Sequence, residues 1–265
     1  MNNRIGVFDS GVGGLTVLEA LVNKMPNEKY YYFGDTKNIP YGIKTPEEIA
    51  ELSVNAYRKL KELGIKILII GCNTATVHGL SAIQDIADIP VIGVIEPGVM
   101  AAKESGCNNI LILATEATIN SGLIQSLLKK EIKDVSIEAI GAPDMVLAVE
   151  NGNSKNKKGK EAVNKYLSNT EISPDCVMLS CTHFPALEDF IIEYYTSINK
   201  TIKIINPAEK AAELAFNELI KINHLETKSD RDIDYFTSGD INKFINSGNL
   251  VLSGGNLIIK GARNL

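Results

Sequence analysis

Two segments far apart in the chain repeat one arrangement. Ile69-Ile70-Gly71-Cys72-Asn73-Thr74 and Met178-Leu179-Ser180-Cys181-Thr182-His183 each run an apolar, strand-like stretch into a small residue, a cysteine and two polar residues. Residues able to begin a helix follow in both cases. A cysteine between a strand end and a helix N-terminus is placed to be a thiolate, because the unpaired N–H groups and the helix dipole favour the anion. One such cysteine suggests a nucleophile. Two, presented from equivalent places, suggest an acid and a base facing each other across a substrate. Asn73, Thr74, Thr182 and His183 add hydrogen-bonding groups suited to a substrate carboxylate at a helix start, and His183 can tune the protonation of Cys181. Each cysteine alone reads equally well as an inert buried thiol; the matching of the two segments favours chemistry. Cys107, in a turn, and Cys176, at a strand start, lack such context and read as structural, as do His78 and His224.

Two further clusters follow strands. Asp9-Ser10-Gly11-Val12-Gly13-Gly14 has the look of a dinucleotide loop, but counting from Gly11 the third required glycine position holds Thr16, and Asp9 repels a pyrophosphate. A phosphoaspartate site needs a second aspartate where Gly11 stands. The glycines fit a tight turn that brings backbone N–H groups up to a small ligand, or a helix-capping turn with Asp9 as the cap. Gly34-Asp35-Thr36 and Pro40-Tyr41-Gly42 form a second loop, read either as a rigid carboxylate-binding backbone at Tyr41 and Gly42 or as an ordinary turn. No GxxxxGK[ST] element is present.

These residues need a scaffold that gathers strand ends. Apolar runs alternate with helical patterns from end to end, the signature of βα units and parallel sheets. Strands are expected at Arg4–Phe8, Tyr30–Phe33, Lys66–Ile70, Val91–Ile95, Asn109–Leu113, Ser136–Ile140, Cys176–Ser180 and Thr201–Ile205. Helices are expected at Leu15–Met25, Pro46–Leu63, Thr76–Ala87, Gly98–Ser105, Ser121–Glu131, Lys160–Leu167, Leu187–Tyr195 and Ala208–Ile222. Thr45-Pro46-Glu47-Glu48 supplies an N-cap, a proline at the first helical position and acidic first-turn residues. The polar stretch from Asn151 to Gly159 reads as a solvated loop. Asp234–Thr237 reads as a short strand and Asp240–Ile245 as a short helix, while Asn246–Leu265, rich in Gly and Asn, is left unassigned. The polar clusters all fall at the C-terminal ends of strands, where open parallel sheets bind ligands.

The chain has 265 residues and a net charge of −5. That length suits one large α/β domain or two smaller ones, and the charge gives no footprint for nucleic acid or an anionic membrane surface. No apolar run approaches the roughly 18 residues needed to span a bilayer, and Met1-Asn2-Asn3 leads into the first strand with no signal-peptide pattern. A cytoplasmic protein with reduced thiols is expected. Zinc binding is disfavoured: Cys176 and Cys181, five residues apart on one strand, are separated by roughly 16 Å, and Cys181 with His183 makes only half a site.

Together these motifs resemble the aspartate/glutamate racemase family, and within it the glutamate racemases. The resemblance rests on Val7-Phe8-Asp9-Ser10-Gly11-Val12-Gly13-Gly14-Leu15-Thr16, Tyr32-Phe33-Gly34-Asp35-Thr36 with Pro40-Tyr41-Gly42, Cys72-Asn73-Thr74-Ala75, and Cys181-Thr182-His183-Phe184-Pro185. It implies two pseudo-symmetric α/β domains, residues 1–95 with 206–265 and residues 96–205, each a mostly parallel sheet flanked by helices with the active site in the cleft between. It implies cofactor-independent interconversion of L- and D-glutamate for bacterial peptidoglycan, with a small-molecule substrate, no nucleic acid, no membrane, and room for a homodimer. Residue by residue, it makes Cys72 and Cys181 the acid/base thiols, with Asp9 supporting Cys72 and His183 supporting Cys181. Substrate binding falls to Asp9, Ser10, Tyr41, Gly42, Asn73, Thr74, Thr182 and His183, and Val149-Glu150 matches the family's Val-Glu pair, whose carboxylate lies near the histidine. Ser180, Phe184, Ala142-Pro143 and Asn206-Pro207 depart from the residues common in the family. Two other readings remain: an aspartate racemase or related dicarboxylate isomerase or decarboxylase, and a non-catalytic dicarboxylate or amino-acid binder.

Overall fold

The computed structural model describes residues 4–227, 232–252 and 255–265; Met1–Asn3, and residues 253 and 254 of the unassigned C-terminal stretch, lie outside them. The chain alternates strand and helix as the pattern requires. In order it forms β1 (Arg4–Asp9), α1 (Leu15–Lys24), β2 (Tyr30–Gly34), α2 (Pro46–Glu62), β3 (Ile65–Ile70), α3 (Asn73–Gln84), β4 (Val91–Gly93) and α4 (Ile95–Ser105). Then come β5 (Asn109–Ala114), α5 (Glu116–Asn120), α6 (Leu123–Glu131), β6 (Ser136–Gly141), α7 (Pro143–Glu150), α8 (Lys157–Leu167), β7 (Cys176–Ser180) and α9 (Glu188–Ser197). The last elements are β8 (Lys203–Ile205), α10 (Pro207–Lys221), β9 (Ile233–Thr237), α11 (Ile241–Val251) and β10 (Arg263–Asn264).

The strands make two parallel sheets, β10-β9-β2-β1-β3-β4 and β6-β5-β7-β8. Both faces of each sheet are covered, which is why the central strands read as unbroken apolar runs. In the first sheet, Ile5, Val7, Ile67 and Ile69 pack beneath α1 and α10, while Phe8, Leu68 and Ile70 face α2 and α3. In the second, Leu111, Leu113, Val177 and Leu179 face α7 to α9, and Ile110, Ile112, Cys176 and Met178 face α4 and α6. Lys66 breaks the apolar run of β3; its buried ammonium pairs with Glu28 at 2.7 Å and donates to the His224 carbonyl at 2.6 Å, a pairing that a buried charge requires.

Several boundaries move from the sequence expectations, each for a local reason. The strand from Val91 ends at Gly93, because Glu96 and Pro97 favour a helical first turn and α4 begins at Ile95. The helix expected over Ser121–Glu131 starts at Leu123, after Gly122 in the left-handed region at φ 69°, and a short α5 outside the expected span, capped by Thr115, precedes it. Asn156 accepts from the Lys158 N–H at 2.9 Å and starts α8 at Lys157, inside the expected loop. Ala142-Pro143-Asp144 opens α7, a helix absent from the expectations although proline at the first position and an acidic first turn signal it. The capping box of α2 is present in full, Thr45 and Glu48 each accepting from the other's backbone N–H. The unassigned C-terminal stretch extends α11 to Val251 and returns as edge strand β10 beside β9.

Candidate active site

The C-terminal ends of β1, β2 and β3 in one sheet, and of β5 and β7 in the other, meet around one enclosed cavity. Its free volume is about 40 Å³, and Cys72 and Cys181 both line it. The wider groove between α1, α10 and α11 contains no such pair of thiols. All four cysteines are free, and Cys107 and Cys176 lie away from the cavity in the core beneath α4 and α6.

The two thiols are held differently. Cys72 is the N-cap residue of α3, so the helix begins at Asn73 rather than at Thr76 as expected; its sulfur accepts from the Ala75 N–H at 3.4 Å and lies 3.5 Å from the Ser10 hydroxyl. These contacts favour a thiolate, yet burial and then the neighbouring Asp9 charge outweigh them and push the Cys72 thiol up to about 12. Cys181, by contrast, is not a helix cap. A 3₁₀ turn over Phe184–Leu187 follows it and α9 starts only at Glu188. Its charge partner is a side chain: His183 Nδ1 stands 3.6 Å from the Cys181 sulfur, and His183 Nε2 stands 2.6 Å from Glu150 Oε1. Burial opposes charge on His183, but the hydrogen bonds to Cys181 and Glu150 prevail and hold its pKa well above the ordinary imidazole value. Burial likewise opposes charge on Glu150, and the bond to His183 overcomes it and keeps the carboxyl below its usual range. When protonated, the imidazole can donate from both nitrogens, to sulfur on one side and carboxylate on the other.

Asp9 is fully buried and reaches across the cleft. Its Oδ1 accepts from the Gly11 N–H at 2.7 Å and its Oδ2 from the Thr182 hydroxyl at 3.2 Å, while burial raises its pKa against those bonds. Its hydrogen bonds therefore run to its own turn and the Cys181 loop, and it acts on Cys72 through its charge. The turn's glycines allow this approach: a Cβ at Gly13 would sit 2.4 Å from Thr182 Oγ1, and one at Gly14 2.6 Å from Asp9 Cβ. The residues from Gly11 to Gly14 thus serve side-chain contact across the cleft.

A profile of the Asp/Glu/Hydantoin racemase family matches residues 5–215. The chain belongs to this family. A glutamate racemase of Oceanobacillus iheyensis is 35% identical over 252 residues, covering 92% of this chain and 90% of that protein. One from Listeria monocytogenes is 37% identical over 250 residues, covering 92% of each. The crystal structure of glutamate racemase from Francisella tularensis in complex with D-glutamate superposes with a TM-score of 0.88 at 28% identity, covering 100% of this chain and 97% of that one.

In this family member, Ser10, Tyr41, Gly42, Asn73, Thr74, Thr182 and His183 line the cavity with the two thiols, and Asp9 and Glu150 stand behind them. The Tyr41 hydroxyl donates to Asp35 at 2.7 Å. Asp35 also accepts from Asn38 and from Ser238, at 3.0 and 2.6 Å, and so fixes the Tyr41–Gly42 turn against the end of β9. Sequence reasoning missed Ile39, Thr115, Val146 and Ser180 as lining residues. Thr115 had a signal, since it leaves the end of β5 as Cys72 leaves β3; Val146 had none without α7.

The Glu150–His183 contact carries a direct prediction. In Glu150→Gln the imidazolium loses its carboxylate, so the His183 pKa, followed by imidazole NMR, is expected to fall toward the ordinary 6.5. The same pair adds stability that is complete between the ordinary carboxyl and imidazole values, and is lost as pH rises through the raised His183 pKa or falls through the lowered Glu150 pKa. An unchanged titration in the variant contradicts this account of the pair.

Proposed function

We propose that the protein racemises glutamate by 1,1-proton transfer between two thiols, with no cofactor. The observation that carries this reading is that Cys72 and Cys181, from different sheets, line one enclosed cavity, each with its own polar partner. The glutamate racemases among its relatives, one of them solved with D-glutamate, support the choice of substrate.

Racemisation needs a base on one face of Cα and an acid on the other. With Cys72 held neutral, it can serve as the acid for L-glutamate: Cys181, 3.6 Å from His183 Nδ1, takes the Cα proton and the Cys72 thiol protonates the opposite face. The turnover leaves the complementary state, in which the Cys72 thiolate takes the proton from D-glutamate and Cys181 returns one. Interconversion of enantiomers has an equilibrium constant of one, so kcat/KM is the same in both directions at every pH. Positioned proton transfer supplies roughly 10²–10⁴-fold per group, and orientation in a water-poor cleft supplies the rest of the barrier reduction. Closure of residues 1–95 and 206–265 against residues 96–205 around the substrate accounts for that exclusion of water. The D-glutamate formed serves peptidoglycan synthesis in the cytoplasm. No helix among the described residues is long and apolar enough to cross a membrane.

Incubating the pure protein with L-glutamate and no added cofactor, followed by circular dichroism, is expected to give the racemic mixture. The difference of one methylene predicts a preference for glutamate over aspartate of about 10–200-fold in kcat/KM. Faster turnover of aspartate assigns the alternative substrate, and ligand-induced stabilisation without loss of chirality identifies a binder.

A further inference from the structure

Two buried polar atoms on cavity-lining residues, Asn73 Oδ1 and Ser180 Oγ, have no hydrogen-bond partner among the described residues. Asn73 is already counted with the ligand-binding groups; Ser180 is not. It is the last residue of β7 and is 0% exposed. Cys176 and Met178 face the side of the sheet that packs on α4 and α6, where Val77 of α3 and Ile119 of α5 also lie. Strand alternation puts the Ser180 side chain on that same side, opposite Leu179. In register Ser180 pairs with Ala114, so it flanks the strand end from which Thr115 emerges.

The neighbouring hydroxyls differ from it in one respect. Thr74, Thr115 and Thr118 satisfy one another, at 3.0, 3.3 and 3.0 Å, whereas the Ser180 hydroxyl has no protein partner. A buried hydroxyl left unpaired is destabilising, and alanine would occupy the position without that cost. Among the described residues, none that lines the cavity is Asp or Glu. The Ser180 hydroxyl can therefore donate to an anion there, whereas the unpaired atom of Asn73 is its amide oxygen, an acceptor.

We infer that Ser180 is a further substrate-binding residue, whose hydroxyl donates to a carboxylate oxygen of the bound dicarboxylate at the Thr74–Thr115 side of the cavity. This rests on the reading of the cavity as the glutamate site. Thr182 and the α3 N-terminus approach the ligand from their own elements, and Ser180 adds a donor from the floor of the second sheet.

The test compares Ser180→Ala with the wild-type protein in racemisation kinetics from both enantiomers and in thermal unfolding with and without D-glutamate. Loss of one such hydrogen bond predicts a KM raised about 3- to 10-fold for both enantiomers, with kcat within about twofold. The ligand-free Tm of the variant is expected to equal or exceed that of wild type, and the D-glutamate-induced rise in Tm to shrink. A purely structural hydroxyl gives the opposite pattern, a lower ligand-free Tm with KM unchanged, and that result overturns the inference. So does an unchanged KM together with an unchanged ligand-induced rise. Absence of racemisation and of any D-glutamate shift in the wild-type protein rejects the glutamate reading itself, before the variant is compared.

Discussion

Cys72→Ser is expected to lose racemase activity by about 10²–10⁴-fold while remaining folded. A hydroxyl in the same place is far too weak an acid to supply the base for D-glutamate or to be re-formed as an anion after protonating the L-derived carbanion. The fold has little reason to suffer, because Cys72 caps α3 by accepting from the Ala75 N–H and serine is among the preferred N-cap residues. Cys181→Ser is expected to lose activity to a similar degree, since each direction of the reaction needs both groups. Cys107→Ser and Cys176→Ser serve as controls: both thiols are buried beneath α4 and α6, outside the cavity, and their variants should affect stability and spare turnover. Steady-state kinetics with circular-dichroism checks of folding decides the matter. Wild-type rates in Cys72→Ser would require the two-thiol scheme to be abandoned.

Replacing His183 with Asn is expected to lower kcat/KM by about 10- to 100-fold at neutral pH, the value of a hydrogen bond to a charged group at roughly 1.5–3 kcal/mol. Two consequences follow from one substitution. The sulfur of Cys181 loses the cation 3.6 Å away, and Glu150 loses the partner 2.6 Å away that offsets its burial. Activity in His183→Asn should therefore recover in part as pH rises, because Cys181 must then lose its proton without a cation beside it. A pH–rate profile separates this from a packing defect, which would lower the rate equally across the range.

Most of the scaffold was legible because parallel strands covered on both faces must be apolar through their length, and residues 67–70 and 177–179 are. The strand-to-polar transitions then located Asp9, Cys72 and Cys181 without any tertiary information. What escaped depended on contacts between segments distant in sequence. That Asp9 reaches Thr182 follows from the packing of a glycine turn against the other sheet's loop, and no local pattern encodes it. The contrast between the thiols was hidden for the same reason: Cys72 sits beside the Asp9 charge and Cys181 beside the His183–Glu150 pair. Cysteine is not among the usual N-cap residues, so the start of α3 was read three residues late. Ser180 was noted only as a departure from the family's residue; its unpaired hydroxyl became visible once the cavity around it was drawn.

The central claim is that two thiols, each carrying one exchangeable proton, act on opposite faces of Cα. Racemisation of unlabelled L-glutamate in D₂O, stopped at early conversion and analysed by chiral separation with mass spectrometry, tests it most directly. Deuterium is predicted at Cα of the D-glutamate formed, with protium retained in the remaining L-glutamate, because the proton removed by Cys181 is not the one delivered by Cys72. D-glutamate that carries the original protium would mean that a single group moves one proton from face to face, and would contradict the account.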